Sequence, residues 1–235
     1  MAANVSVSPM NIVRKGKHKV LLQLGTVMTE ESFRSRGLIR RLMQEIEHDY
    51  EGQVDGMYLF ANDRVLDFYP KFGYRSVDEY LHEKYIHTVQ PPSVVPAPMH
   101  GPEAWKKLEE KILKKVCNSS FGVEQNMSLL MFYVTKFMQD NVYYVPDQDS
   151  YVIAEREGNI LLLHEVISEK LVDLDRIAAA FGVEDGKMIL GFTPLEERGY
   201  TISRIREEDT TLFVKGPFFR EWEAEKKRFP VLSHT

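Results

Sequence analysis

Residues 24–43 read LGTVMTEESFRSRGLIRRLM, and this stretch decides the fold. Its first part is apolar and closes a longer run, Lys19–Met28, with the composition of a strand buried on both faces. Its last part changes period. Leu38, Leu42, Ile46 and Tyr50 recur every four residues, with Ile39 and Met43 beside them, so one face of a helix is apolar. Between strand and helix lie Arg34, Arg36 and Gly37, with Arg40 and Arg41 in the first helical turn. A helix N-terminus presents unpaired N–H groups and the positive end of the helix dipole. A glycine there lets the backbone approach an anion closely, and guanidinium groups match phosphate oxygens. The stretch therefore reads as a phosphate site. A solvated basic face on a surface helix is the plainer alternative. No Gly-Lys-Ser/Thr follows, so it is not a Walker loop, and one glycine does not make a dinucleotide fingerprint.

The bulk numbers agree with a small-anion site. The 235 residues are 43 % hydrophobic and 28 % charged, with a net charge of −5. Such a balance opposes broad binding to nucleic acid or to anionic membranes. The one cysteine, Cys117, rules out an internal disulfide and fits a reducing cytoplasm. It follows an apolar helical pattern and reads as an idle thiol. The start, MAANVSVSPMNIVRKGK, has no charged segment ahead of a long apolar run, so no secretory leader is expected. No apolar run reaches the roughly 18 residues a membrane span needs.

Outward from the central stretch, residues 10–14 and 18–28 predict two strands around a turn at Gly16. Residues 57–61 predict a buried strand, 65–74 a short helix stopped near Gly73, and 75–87 another strand. This β-β-α-β-α-β order predicts a mixed sheet with helices on its faces. Residues 88–102 hold five of the eleven prolines and predict a semi-rigid connector. Beyond it, Trp105, Leu108, Ile112 and Val116 mark one helix, and Met127, Leu130, Met131, Val134 and Met138 a second. SYVIAERE and NILLLHEVI predict strands joined at Glu157-Gly158. Asp173 is placed to cap a helix running to Phe181, with Gly182 ending it, and KMILGF and TTLFVKG predict two more strands.

Two segments carry a family resemblance. Arg34-Ser35-Arg36-Gly37-Leu38-Ile39 resembles the coenzyme A signature of the GCN5-related N-acetyltransferase (GNAT) superfamily, Gln/Arg-x-x-Gly-x-Gly/Ala, with Ile39 where the family has a small residue. ANDRVLDFYPKFGY, residues 61–74, resembles the family's Asn…Tyr-x-x-x-Gly-Phe/Tyr segment. The resemblance covers roughly residues 10–87. It implies an α/β fold of the acyl-CoA N-acyltransferase type and an enzyme that moves an acetyl group from acetyl-CoA to an amine. It implies that Arg34, Ser35, Arg36, Gly37, Leu38, Ile39 and Arg40 hold the phosphates. Val27, Met28 and Thr29 would hold the pantetheine arm with their backbone, and Asn62 would meet it with an amide. Tyr69 would protonate the departing thiolate. Direct attack by the amine needs no nucleophilic side chain, and no metal is expected.

The family's opening strand and two helices have no counterpart before residue 10; either the chain is truncated or they come from elsewhere. Two helices then two strands, after the prolines, repeat that opening order. The expected organisation is thus a coenzyme A-binding unit over 1–87, a linker over 88–100, and a second, degenerate acetyltransferase-like unit over 101–235 with no coenzyme A motif. This tandem pattern resembles bacterial acetyltransferases of the "enhanced intracellular survival" type. The expected partners are a small-molecule or peptide amine, without nucleic acid or membrane; a homo-oligomer is compatible with it. Glu30 and Glu31 are candidates to take the amine's proton, against an ordinary acidic loop. His82 and His87 read as surface or hydrogen-bonded histidines. His164-Glu165 does not complete a His-Glu-x-x-His motif, because residue 168 is Ser. The alternative to an enzyme is a coenzyme A-binding or regulatory module without turnover, which Ile39 and the missing opening elements favour.

Overall fold

In the computed structural model, which describes residues 1–124, 126–205 and 207–234, the chain forms two mixed seven-stranded sheets with helices on their faces. The first sheet runs, in spatial order, β12 (Thr193–Pro194), β7 (Ser119–Glu124), β1 (Ala3–Arg14), β2 (Lys17–Thr29), β3 (Gly56–Ala61), β14 (Thr211–Lys215) and β4 (Arg75–Ser76). The second runs β13 (Thr201–Arg204), β5 (Tyr80–His87), β11 (Asp185–Leu190), β10 (Ile160–Ile167), β9 (Ser150–Glu157), β8 (Val142–Val145) and β6 (Val95–Pro96). The helices are α1 (Leu38–Asp49), α2 (Pro102–Lys114), α3 (Met127–Lys136), α4 (Leu174–Ala180) and the single turn α5 (Trp222–Glu225).

The strands do not follow the division expected at residues 88–100. β5, before it, lies in the second sheet, while β7 and β14, after it, lie in the first. Composition locates prolines, whereas sheet membership is set by long-range pairing that local sequence does not encode. Nor does the proline-rich segment hang free. Ser93 and Val94 N–H groups donate to the Ala180 carbonyl, Ala97 N–H to Val142, and Met99 is buried. The segment 65–74, expected as one short helix, is two 3-10 turns, Asp63–Val65 and Tyr69–Phe72, with Gly73 in a left-handed conformation closing the second.

The alternation of β3 sorts the first core. Met57, Leu59 and Ala61 pack with Met43 and Tyr69 on the face that carries α1. Tyr58 packs on the other face with Trp222, Phe121 and Phe229. A strand apolar on both faces must lie centrally, as β3 does.

Two details of β2 shape the functional end of the sheet. First, Val5 of β1 faces two residues of β2, Thr26 and Val27, so β2 carries a bulge. Thr26 there has a φ of 46°, in the left-handed region. Second, β2 and β3 pair in parallel only over Leu21–Gln23 and Gly56–Tyr58. Beyond Gln23 the two strands diverge, and the edge of β2 that faces β3 has no strand partner.

Candidate active site

The divergence of β2 and β3 opens a cleft of about 700 Å³. All twelve residues expected from sequence line it. Val27, Met28 and Thr29 lie at the end of β2, past the bulge. Arg34, Ser35, Arg36, Gly37, Leu38, Ile39 and Arg40 form the wall made by the loop and the first turn of α1. Asn62 follows β3, and Tyr69 stands at the start of the second 3-10 turn, on the opposite wall. Sequence reasoning missed Phe33, Val65, Phe68, Lys71 and Phe72, which also line the cleft. Their signal was proximity to the motif alone, since aromatic and aliphatic residues near a site carry no chemical label.

The loop is built to leave amides free. Gly37 is the N-cap of α1, with φ of 72°, and no side chain caps that end. A Cβ at Gly37 would meet no atom within 4 Å, so the space above it is open. Ser35 is also left-handed, at φ of 61°, which costs an L-residue about 1–2 kcal/mol. Strain of this kind concentrates at functional loops. Arg36 lies over the Phe33 ring at 4.9 Å and donates to the Ser32 carbonyl at 2.9 Å. Arg40 lies over the Phe72 ring, 5.6 Å away, linking the two walls. Neither Arg36 nor Arg40 has a carboxylate partner among the described residues. Arg34 has only an exposed contact with Glu31 at 3.9 Å, worth little.

Tyr69 is 6 % exposed, with Phe213 at 5.4 Å and Phe68 at 5.4 Å between ring centroids. Burial raises its pKa above the ordinary value, so its hydroxyl keeps its proton throughout the neutral range.

The other sequence candidates lie elsewhere. Glu30 and Glu31 are exposed and do not line the cleft. His82 is fully buried in the second sheet, where burial lowers its pKa. His87 pairs with Asp185 at 2.7 Å on the surface, and His164 with Glu155 at 3.2 Å. The Cys117 thiol contacts Ser119, away from the cleft. No group of three or more His, Cys, Asp or Glu among the described residues could hold a metal.

With this geometry in view, residues 12–74 match the sequence model of the "Acetyltransferase (GNAT) family". Over these residues the chain is similar to the GNAT acetyltransferases. The matched span runs through β1, β2, the arginine loop, α1, β3 and the Tyr69 turn, so it contains the whole cleft. The likeness of fold to solved proteins extends over both sheets. A probable N-acyltransferase from Enterococcus faecalis superposes with a TM-score of 0.59 at 15% identity, covering 91% of this chain and 58% of its own. Eis1 from Mycobacterium abscessus gives 0.55 at 14%, covering 90% and 60%. A GCN5-related N-acetyltransferase from Kribbella flavida gives 0.54 at 13%, covering 91% and 57%. The chain thus spans about three fifths of these solved proteins. No curated protein matches the sequence.

A second cleft of about 400 Å³ opens beside the first at Asp63, and sequence reasoning missed it. Asp63, the residue after Asn62, lines it together with Asp78, Glu79, Glu207, Glu208, Arg204, Arg228 and His234. Two of these acids are paired, Asp78 with Arg204 and Glu207 with Arg228. Glu79 accepts a hydrogen bond from the Phe229 N–H at 2.8 Å. Burial nevertheless pushes its pKa up to about 7, outweighing that bond and the nearby Arg228.

Proposed function

We propose that the protein is an acetyl-CoA-dependent N-acetyltransferase in which an amine attacks the thioester directly. The observation that carries this reading is the convergence of one uncapped helix N-terminus, two arginines without carboxylate partners, the unpaired edge of β2 and Tyr69 on a single cleft. In this reading the pyrophosphate sits over Gly37, held by the α1 amides with Arg34, Arg36 and Arg40. The pantetheine arm lies along Val27–Thr29 and passes Asn62. Backbone N–H groups on the free edge of β2 polarise the thioester carbonyl, where negative charge grows. The amine nitrogen bonds to the carbonyl carbon, the C–S bond breaks, and the Tyr69 hydroxyl gives its proton to the leaving sulfur. Water then reprotonates the phenolate, because burial keeps the phenol form favoured at neutral pH.

The second cleft faces the end of β3 from the side of Asp63 and suits the acceptor. Its surplus of carboxylates favours a cationic amine, and Glu79, whose pKa burial raises to about 7, is our candidate to take the proton that the amine must lose. The acceptor class is a small-molecule or peptide amine, the co-substrate acetyl-CoA without a metal, and the compartment the reducing cytoplasm. No described helix is long and apolar enough to cross a membrane. The competing reading is a module that binds coenzyme A without turnover, favoured by Ile39 in place of a small residue. Ile39 packs on the first-sheet core as well as lining the cleft. Calorimetry with acetyl-CoA followed by thiol release against an amine panel separates the two. Binding without thiol release for any amine would support the module, and no binding would reject both.

A further inference from the structure

Lys215 ends β14, the strand that inserts between β3 and β4 from the far side of the proline-rich segment. Its ammonium donates to Glu47 Oε1 at 2.6 Å, in the last turn of α1. It also donates to the Phe72 carbonyl at 2.9 Å, the last residue of the turn that begins with Tyr69. Two residues earlier, on the same face of β14, Phe213 packs against the Tyr69 ring. One strand therefore holds the Tyr69 turn at its ring and at its end, and ties that turn to the helix that forms the other wall of the cleft.

The side chains of Lys215 and Glu47 are 31 % and 39 % exposed. A pair so open to water contributes little to stability, so its value must be sought in geometry. Glu47 lies ten residues beyond Gly37, about 15 Å along the helix axis. The contact therefore acts far from the phosphates and close to the acid. We propose that Lys215 is a positioning residue, which holds the Tyr69 hydroxyl at the leaving sulfur by tying the Tyr69 turn to the end of α1. This rests on the reading of Tyr69 as the acid.

The test uses coenzyme A itself as the probe. Calorimetry gives its affinity, and thiolate absorbance against pH gives the ionisation of the bound thiol, with wild type, Lys215→Met, Tyr69→Phe and the double variant. A hydroxyl held at the sulfur stabilises the bound thiolate and lowers the thiol's apparent pKa below that of free coenzyme A. Lys215→Met keeps the aliphatic stem and should leave affinity within about twofold, since the phosphates bind elsewhere. The bound thiol should move back toward its free value in each single variant, and no further in the double, because both changes break one interaction. Lys215→Arg should restore most of the wild-type behaviour. With acetyl-CoA and hydroxylamine as acceptor, thiol release by Lys215→Met should fall roughly 10- to 100-fold, the usual effect of a small misplacement. If Tyr69→Phe shifts the thiol and Lys215→Met does not, the positioning role is wrong and the acid role stands. If Tyr69→Phe leaves the thiol unchanged, the acid role fails and this inference with it. Additive effects in the double variant would make Lys215 merely structural. Should Lys215→Met fail to fold, Glu47→Gln breaks the same tie; a smaller shift in the same direction supports the role, and no shift overturns it.

Discussion

The two halves of the molecule contain the same device twice, with opposite outcomes. In the first sheet, β1 and β2 form a hairpin with a bulge, α1 crosses over, and β3 pairs in parallel with β2. In the second, β9 and β10 form a hairpin with a register shift after Leu163, α4 crosses over, and β11 pairs in parallel with β10. The difference lies at the helix N-termini and in the fork between the parallel strands. At α1 the cap is Gly37, no side chain satisfies the amides, and the fork is an open cleft. At α4 the cap is Asp173, whose carboxylate accepts from the Asp175 and Arg176 N–H groups. The second fork is filled by the chain's own tail. Gly191 N–H donates to the Leu163 carbonyl, Val231 N–H donates to Gly191, and a Cβ at Gly191 would lie 2.7 Å from Val231. One scaffold therefore leaves an open, unsatisfied helix start in one half, where we propose that the anion binds, and makes a structural joint in the other, where a carboxylate already occupies the helix start.

The largest effect that would break this contrast is at α1. Arg36→Ala combined with Gly37→Glu removes a cation, adds an anion and forces a side chain onto a left-handed position. Coenzyme A affinity should fall by more than about 100-fold, since each charged hydrogen bond lost is worth roughly 1.5–3 kcal/mol. Circular dichroism should show the fold retained. Unchanged affinity by calorimetry would remove the phosphates from this loop. Next in size, Tyr69→Phe keeps the ring packing and deletes the proton donor. Turnover should fall by roughly 10²- to 10⁴-fold, about 3–5 kcal/mol of barrier, with coenzyme A affinity preserved. A joint loss of affinity and stability would mark the hydroxyl as structural.

How legible this was in the sequence differs between elements for physical reasons. The arginine loop was legible because helix periodicity, a glycine and clustered guanidiniums all lie within twenty residues. Tyr69 was picked out only by the resemblance of residues 61–74 to a family segment, and the structure puts it on the cleft wall. The role of β14 was not. TTLFVKG announces a buried strand, but its neighbours β3 and β4 are fixed by pairing across more than 130 residues. β7 was missed because SSFGVE is half polar, although it buries Phe121 and Val123. β8, VYYV, is too short to establish a period. The second cleft was invisible because Asp63, Glu79 and Glu207 come together only through the pairing of β14 with β3 and of β13 with β5.

A smaller effect concerns Glu79. Its pKa is raised in the folded protein, so between the unfolded value near 4.5 and about 7 the folded chain binds the extra proton. Its contribution to stability is therefore present below pH 4.5 and is lost as pH rises through about 7. Thermal unfolding of wild type against Glu79→Gln should show wild type losing ground between pH 5 and pH 8; a constant difference would place Glu79 in an ordinary solvated setting. The smallest effect is at the second helix. Asp173→Ala removes two capping bonds and should cost about 1 kcal/mol, or roughly 2–4 °C in Tm, without altering coenzyme A affinity. A change in that affinity would mean that the second half contributes to binding after all.

The central claim is that only the first of the two forks takes the cofactor. Calorimetric titration of the wild-type chain with acetyl-CoA tests it most directly through stoichiometry. The account predicts one site per chain, lost in the Arg36→Ala, Gly37→Glu variant and kept in Asp173→Ala. Two sites per chain, or one site that survives the double substitution, would contradict it.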